Sequence, residues 1–121
     1  MNQTLPVADA IAAFRSAAIA KGDIASPRSL DIALLERLAD AFAELDAIGP
    51  EGRSALKNLL QDRSPYVRRW VAHQLLSEGD HDALPVLQEL AAEQNPLGLT
   101  VENLLADHAA VRLKSPFIFD P

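Results

Sequence analysis

The sequence contains no cysteine, few aromatic residues and no long hydrophobic run, and each absence narrows what the chain can be. Without cysteine there is neither a disulfide framework nor a thiolate nucleophile. No apolar segment approaches the ~20 residues that a helix needs to cross a bilayer. Aromatic residues make up 5% of the 121 residues and hydrophobic residues 49%, so the core must consist mainly of aliphatic side chains.

Positive charge is also scarce, because the sequence has 11 Lys and Arg residues against 17 Asp and Glu residues, a net charge of −6. Nucleic-acid binding depends on neutralising phosphates, so this balance argues against DNA or RNA as a partner. A basic protein is a better match for an acidic surface. The first ten residues lack the basic and apolar segments of a signal peptide, and we therefore expect a cytoplasmic protein without membrane association.

Apolar residues recur at helical spacing along the chain, and no segment shows the sustained two-residue alternation of a half-buried strand. Proline and small polar residues predict six helix starts, at Thr4, Ser26 with Pro27, Pro50, Ser64 with Pro65, Asp80 or Asp82, and Asn95 with Pro96. Glycines predict ends at Gly22, Gly49 and Gly79, and the last helix runs to about Val111. We therefore predict an all-α fold of about six helices. Its expected core includes Val67, Val71, Leu75, Leu87, Leu90, Val101 and Leu105.

A helical pattern occurs twice, as LLQDRSPYVRRWVAHQLL over residues 59–76 and as LQELAAEQNPLGLTVENLL over residues 87–105. Pro65 aligns with Pro96 at an offset of 31 residues, and Val71 aligns with Val101 at an offset of 30. A period of this size is typical of stacked helical repeats. We predict a single domain of three stacked hairpins, over residues 1–49 (atypical, as a terminal repeat is expected to be), 50–78 and 79–111. The remaining residues, 112–121, form a tail in which Phe117, Ile118 and Phe119 are expected to fold back onto the last helix, since such a run is a liability when exposed.

The first copy of the pattern resembles a HEAT repeat, through Asp62, Pro65, Val67 with Arg68, Ala72, and Leu75 with Leu76. The resemblance implies a right-handed α-α superhelix, in which Arg68 has a structural role and bridges to Asp62 or a neighbouring carboxylate. Residues 48–105 also resemble a bacterial family of short, uncharacterised HEAT-like proteins, which implies no activity. The second copy departs from the repeat at residues 97–99, where LGL replaces the Val-Arg pair.

Tyr66, Trp70 and His73 are spaced at i, i+4 and i+7, with Arg69 beside them. If this stripe is exposed, it is a candidate partner-binding site, because Trp, Tyr and Arg dominate interface energies. The alternative is that Trp70 packs between helices as the largest core side chain.

Three arginines, Arg63, Arg68 and Arg69, form the most basic local cluster. One interpretation is a phosphate contact, as in HEAT-like DNA-binding enzymes. The other is an intramolecular pairing with Asp62 and a solvated arginine, which agrees better with the net negative charge.

Residues 78–111 contain no Lys or Arg, and they carry seven carboxylates. Glu78, Asp80 and Asp82 crowd one turn between helices, which is either a docking site for a basic partner or a solvated acidic face. Adjacent residues such as Asp80, His81 and Asp82 do not converge like zinc ligands, so we expect no metal site.

No spacing of catalytic residues, phosphate loop or cofactor motif is recognisable, so we expect neither enzymatic activity nor a cofactor. The preferred hypothesis is a protein-binding module of the bacterial cytoplasm, in its most specific form an immunity protein or antitoxin that masks a basic toxin domain. The alternatives are a HEAT-like domain related to lyase-type or DNA-binding enzymes, and a structural or regulatory protein. The sequence makes no prediction of the oligomeric state.

Overall fold

The computed structural model describes residues 4–22, 28–93, 95–109 and 115–117. Six α-helices occur in these ranges: α1 Thr4–Lys21, α2 Arg28–Ile48, α3 Pro50–Asn58, α4 Pro65–Ser77, α5 Leu84–Ala91 and α6 Pro96–Ala109. Two short 3₁₀ helices, Leu59–Gln61 and His81–Ala83, follow α3 and precede α5. No strand occurs in the part of the chain that the structure describes, so the prediction of an all-α fold with six helices is confirmed.

Proline and glycine define most of the helix ends. Pro50, Pro65 and Pro96 are the first residues of α3, α4 and α6, where a missing N–H costs nothing. Gly49 and Gly79 have φ angles of 99° and 90°, which residues with a Cβ rarely adopt. The predicted start at Ser26 and Pro27, and the expected end of α6 near Val111, lie outside the described residues.

Side-chain caps are found at two of the predicted helix starts and not at a third. Asp80 accepts a hydrogen bond from the backbone N–H of Asp82 (3.1 Å) and so caps the 3₁₀ helix before α5. Asn95 Oδ1 accepts from the N–H of Gly98 (2.8 Å) at the start of α6. Ser64 occupies the N-cap position of α4, but its hydroxyl makes no capping bond. Thr4, expected to precede α1, is already helical.

The helices form two compact units, residues 1–59 and residues 60–121. In the first unit, α1, α2 and α3 pack on one another around buried Phe14, Leu34, Leu38, Leu45 and Leu56. In the second, α4, α5, α6 and the 3₁₀ helix His81–Ala83 enclose Val67, Val71, Leu75, Leu76, Leu87, Leu90, Val101 and Leu104. The division into three stacked hairpins in one domain stays a prediction.

One predicted core residue is misplaced, because Leu105 is only half-buried while Leu104 is 7% exposed. The buried residues of α6 are Gly98, Val101 and Leu104, spaced by three. A Cβ on Gly98 would lie 2.1 Å from the carbonyl oxygen of Glu93, so the glycine permits a very close approach of the two backbones. Gly98 therefore lies against the chain that leads into α6.

Gly52 likewise permits a close approach of two backbones in the first unit. It is buried, and a Cβ there would lie 1.9 Å from the carbonyl oxygen of Leu45 in α2. Gly52 and Gly98 are each the third residue of a helix that begins with proline. The two units therefore use the same Pro-x-Gly start to bring a helix against its predecessor.

The tail packs in a place that the sequence did not indicate. Phe117 is 7% exposed, and its ring stacks on Trp70 of α4, with centroids 6.2 Å apart, where we expected contact with the last helix. Ile118 and Phe119 lie outside the described residues.

Candidate protein-interaction surfaces

Arg68 and Asp62 lie together at the start of α4. Arg68 Nη1 donates to the main-chain carbonyl of Asp62 (2.7 Å), and the Asp62 carboxylate accepts from the backbone N–H of Ser64 (2.9 Å). Arg68 thus reaches Asp62 through its main chain, although the HEAT resemblance implied a carboxylate. Both bonds satisfy polar groups of the turn and support the structural role predicted for this pair.

Arg69, the neighbouring arginine, is held against an aromatic ring of its own chain. Its Cζ lies 3.6 Å from the centroid of the Trp70 ring, which is close enough for a cation–π interaction. Its Nη1 atom is buried and has no hydrogen-bond partner among the described residues. Burial lowers the pKa of Arg69 to about 10, because desolvation disfavours the charged form. The guanidinium therefore stays protonated at neutral pH. Of the three clustered arginines, only Arg63 is exposed.

The predicted stripe on α4 is only partly accessible. Tyr66 and Trp70 are half-buried, and the Trp70 ring already contacts Phe117 and Arg69. His73 is 9% exposed, so its side chain does not contribute to an open surface. The exposure expected for His73 is not found, because this position of α4 is buried, as are the flanking residues Ala72 and Gln74.

Gln74 is a candidate that sequence reasoning missed. Its side chain is 4% exposed, and its amide is bonded at both ends. Nε2 donates to Glu78 Oε2 (2.6 Å), and Oε1 accepts from the hydroxyl of Ser115. The i, i+4 spacing from Trp70 to Gln74 to Glu78 was visible in the sequence, but nothing local indicated that a tail residue covers it.

Six carboxylates of the second unit fall into two groups. At the turn after α4, Asp80 is half-buried and caps the 3₁₀ helix, and Glu78 accepts from Gln74. Glu89, Glu93 and Glu102 lie further along the chain, and all three are exposed. The carboxylates of Glu78 and Asp80 therefore carry part of the local structure, although Glu78 and Asp82 are as exposed as the second group.

An exposed leucine lies beside this second group. Leu99 in α6 is 62% exposed, the highest value among the large hydrophobic residues that the structure describes. Glu102 follows it by three residues and so occupies the same face of α6. The main chain of Glu93 abuts Gly98, the residue before Leu99. We call this region, defined by Glu89, Glu93, Leu99 and Glu102, the acidic face.

Two histidines of the second unit contact each other. The rings of His81 and His108 meet edge to face, with centroids 6.2 Å apart. In the described ranges there is no group of three or more His, Cys, Asp or Glu side chains that could hold a metal ion.

Comparison with known proteins identifies the family. A model of HEAT repeats matches residues 28–104, which is more than half of the chain. The chain belongs to the HEAT repeat family. HEAT repeats stack into surfaces that typically bind other proteins, as non-enzymatic scaffolds, and a helical protein-interaction module is therefore the class that the match supports. The proposed membership in a bacterial family of short, uncharacterised proteins stays a prediction.

Further comparisons add no closer relative, since neither a curated protein nor a solved structure is significantly similar to this HEAT repeat protein. Within the described residues, none of the helices combines the length and the hydrophobicity that a membrane span requires.

Proposed function

We propose that the chain is a binding module, without catalytic activity, that recognises a basic protein through the acidic face. The observation that carries this proposal is the exposed Leu99 with Glu93 and Glu102 beside it, in a stretch of 34 residues, 78–111, that lacks Lys and Arg. Interfaces often combine an apolar residue that is buried on binding with surrounding charges of one sign, which attract a partner of opposite charge.

The charge distribution supports a cationic partner rather than a nucleic acid. Carboxylates that are not offset by nearby basic residues attract a positive surface and accelerate its encounter with the protein. Two of the three arginines that were candidates for phosphate contact are engaged within the chain, Arg68 with Asp62 and Arg69 with Trp70. Glu78, Asp80 and Asp82 extend the field at the turn after α4, with Tyr66 and Trp70 as flanking, half-buried contacts.

A more specific form of the proposal is an immunity protein or antitoxin of the bacterial cytoplasm that masks a basic toxin domain. The small acidic repeat scaffold and the lack of a catalytic motif are in keeping with that role. Co-expression with a basic toxin encoded next to it should relieve growth arrest. If the toxin binds the chain but growth remains arrested, the chain is a binding module and not an immunity protein.

The acidic face can be tested with two matched variants of the full chain. The acidic-face variant carries Glu89→Lys, Glu93→Lys and Glu102→Lys. The α2 control variant carries Glu36→Lys, Asp40→Lys and Glu44→Lys, which changes the net charge by the same amount at three exposed positions of the first unit. Circular dichroism establishes that both variants keep their helical content.

The measurement is affinity capture from an extract of the native cell at low salt, followed by mass spectrometry. The wild-type chain and the α2 control variant should retain the same basic protein, and the acidic-face variant should lose it. Loss from both variants would mean that only net charge matters, and retention by both would remove the acidic face from the proposal.

A further inference from the structure

Residues 115–117 contact α4 at two points that lie one helical turn apart. The hydroxyl of Ser115 donates to Gln74 Oε1, and the ring of Phe117 stacks on Trp70 with an interplanar angle of 24°. A hydroxyl residue and an aromatic residue two positions later thus contact two α4 residues that are four positions apart, Gln74 and Trp70.

Both anchors on α4 are oriented by neighbours that do not belong to the tail. The amide of Gln74 is fixed by its bond to Glu78, which leaves Oε1 as the acceptor that faces Ser115. The indole of Trp70 is covered by the guanidinium of Arg69, which keeps the ring in place. An anchor that is ordered in advance loses less entropy when a ligand binds, so the site should persist when the tail leaves it.

The bound segment is itself closed by a local hydrogen bond. The backbone N–H of Phe117 donates to the hydroxyl of Ser115 (3.2 Å), while the same hydroxyl donates to Gln74. This turn brings the hydroxyl and the aromatic ring to the same side of the segment. A hydroxyl is required, because the position needs both a donor and an acceptor.

We propose that the face of α4 formed by Trp70, Gln74 and Glu78 is a docking site for a short Ser-x-Phe segment of a partner protein, and that residues 115–117 occupy it in cis as a competitor. We call it the α4 docking face. This inference goes beyond the proposed function, because it concerns a different partner chemistry and none of the four residues of the acidic face, although Trp70 and Glu78 also flank the surface proposed for the basic protein. It holds or fails independently of the acidic face.

The extent to which the tail weakens the binding of a partner peptide can be estimated. A segment tethered by a short linker acts at an effective concentration of the order of millimolar. A peptide that binds the vacated site with a dissociation constant of roughly 0.1 mM should therefore bind the wild-type chain at least about tenfold more weakly. Removal of the tail side chains should restore the binding without any change on α4.

The test uses the full chain with Ser115→Ala and Phe117→Ala, and a fluorescein-labelled peptide LKSPFIF, which copies residues 113–119. Fluorescence polarisation should show at least about tenfold tighter binding to this double variant than to the wild type. Peptides in which Ala replaces the Ser or the Phe should not bind. Adding Gln74→Ala to the double variant should abolish binding, whereas Gln88→Ala, at an exposed glutamine of α5, should leave it unchanged.

Equal binding of the peptide to the wild type and to the folded double variant would overturn the proposal, and so would no binding to the double variant at millimolar peptide. If the double variant loses its helical content, Ser115→Ala alone answers the question, since it removes one anchor and keeps Phe117. It should bind the peptide several-fold tighter than the wild type, and unchanged binding to this single variant would equally overturn the proposal.

Discussion

The two units share a way of packing helices and differ in where they place polar groups. The described core of the first unit is apolar, and two of its charged pairs, Lys21 with Asp31 (2.8 Å) and Arg53 with Asp46 (3.5 Å), lie on its own helices. The second unit buries His73 and Gln74, and it has five basic against nine acidic residues, compared with six against eight in the first. The comparison agrees with the proposal that the first unit is a scaffold and that the second unit carries recognition.

The largest expected effects come from cavities, and they should be alike in the two units. Leu38→Ala and Leu87→Ala each remove a side chain that is fully buried, so each should cost about 2–5 kcal/mol of unfolding free energy. Urea denaturation followed by circular dichroism measures both. A loss below about 1 kcal/mol at either site would show that its unit has no well-packed core.

The shared Pro-x-Gly start gives the next largest effect. Gly52→Ala and Gly98→Ala place a Cβ about 2 Å from a main-chain carbonyl, which cannot rotate away. The expected cost is about 1–3 kcal/mol or more, which exceeds the gain of about 1 kcal/mol that alanine brings to a helix. Ser54→Ala, at an exposed position of α3, is the control and should be nearly neutral. If the glycine variants are also neutral, the helices are not in close contact there.

A smaller effect separates the two adjacent arginines of α4. Arg68→Ala removes a charged hydrogen bond to the Asp62 carbonyl and should cost about 1–2 kcal/mol, with a lower melting temperature. Arg69→Ala loses a cation–π contact but also relieves a desolvated charge, and the two changes nearly offset each other. Thermal melts in which both variants lower the melting temperature by the same amount would contradict this distinction.

The smallest effect on stability is expected at the two most exposed hydrophobic residues, Leu99 and Ile32, which are 62% and 55% exposed. Leu99→Ser and Ile32→Ser should each change the unfolding free energy by no more than about 0.5 kcal/mol. Binding should separate them, because only Leu99 belongs to the acidic face. We expect Leu99→Ser to weaken the complex about tenfold, or 1.4 kcal/mol, by calorimetry with the captured protein. Equal weakening by both substitutions would contradict the comparison.

Local chemistry made much of the fold predictable from the sequence. Proline and glycine restrict their own backbone angles, so Pro50, Pro65 and Gly49 marked helix boundaries without any knowledge of the tertiary structure. The spacing of apolar residues identified Val67, Val71 and Leu87 as core residues, because burial follows the helical period.

The failures concern residues whose environment is set by distant parts of the chain. The burial of Gln74 depends on Ser115, which lies 41 residues away. The burial of Leu104 (7% exposed) in place of Leu105 depends on how α6 packs in the tertiary structure, which helical spacing alone does not determine. The HEAT resemblance correctly brought Arg68 to Asp62, yet it could not distinguish a carbonyl acceptor from a carboxylate. Of the candidate site, the acidic stretch was visible in the sequence, while the exposure of Leu99 required the structure.

The claim that the second unit recognises a basic protein is tested most directly by the association rate of the captured protein at increasing salt. Charges on an exposed surface are screened beyond a Debye length of about 8 Å at physiological ionic strength. Stopped-flow measurements should show a rate that falls steeply with salt for the wild type and for the α2 control variant, and a slow, nearly salt-independent rate for the acidic-face variant. The same salt dependence in all three proteins would contradict the account.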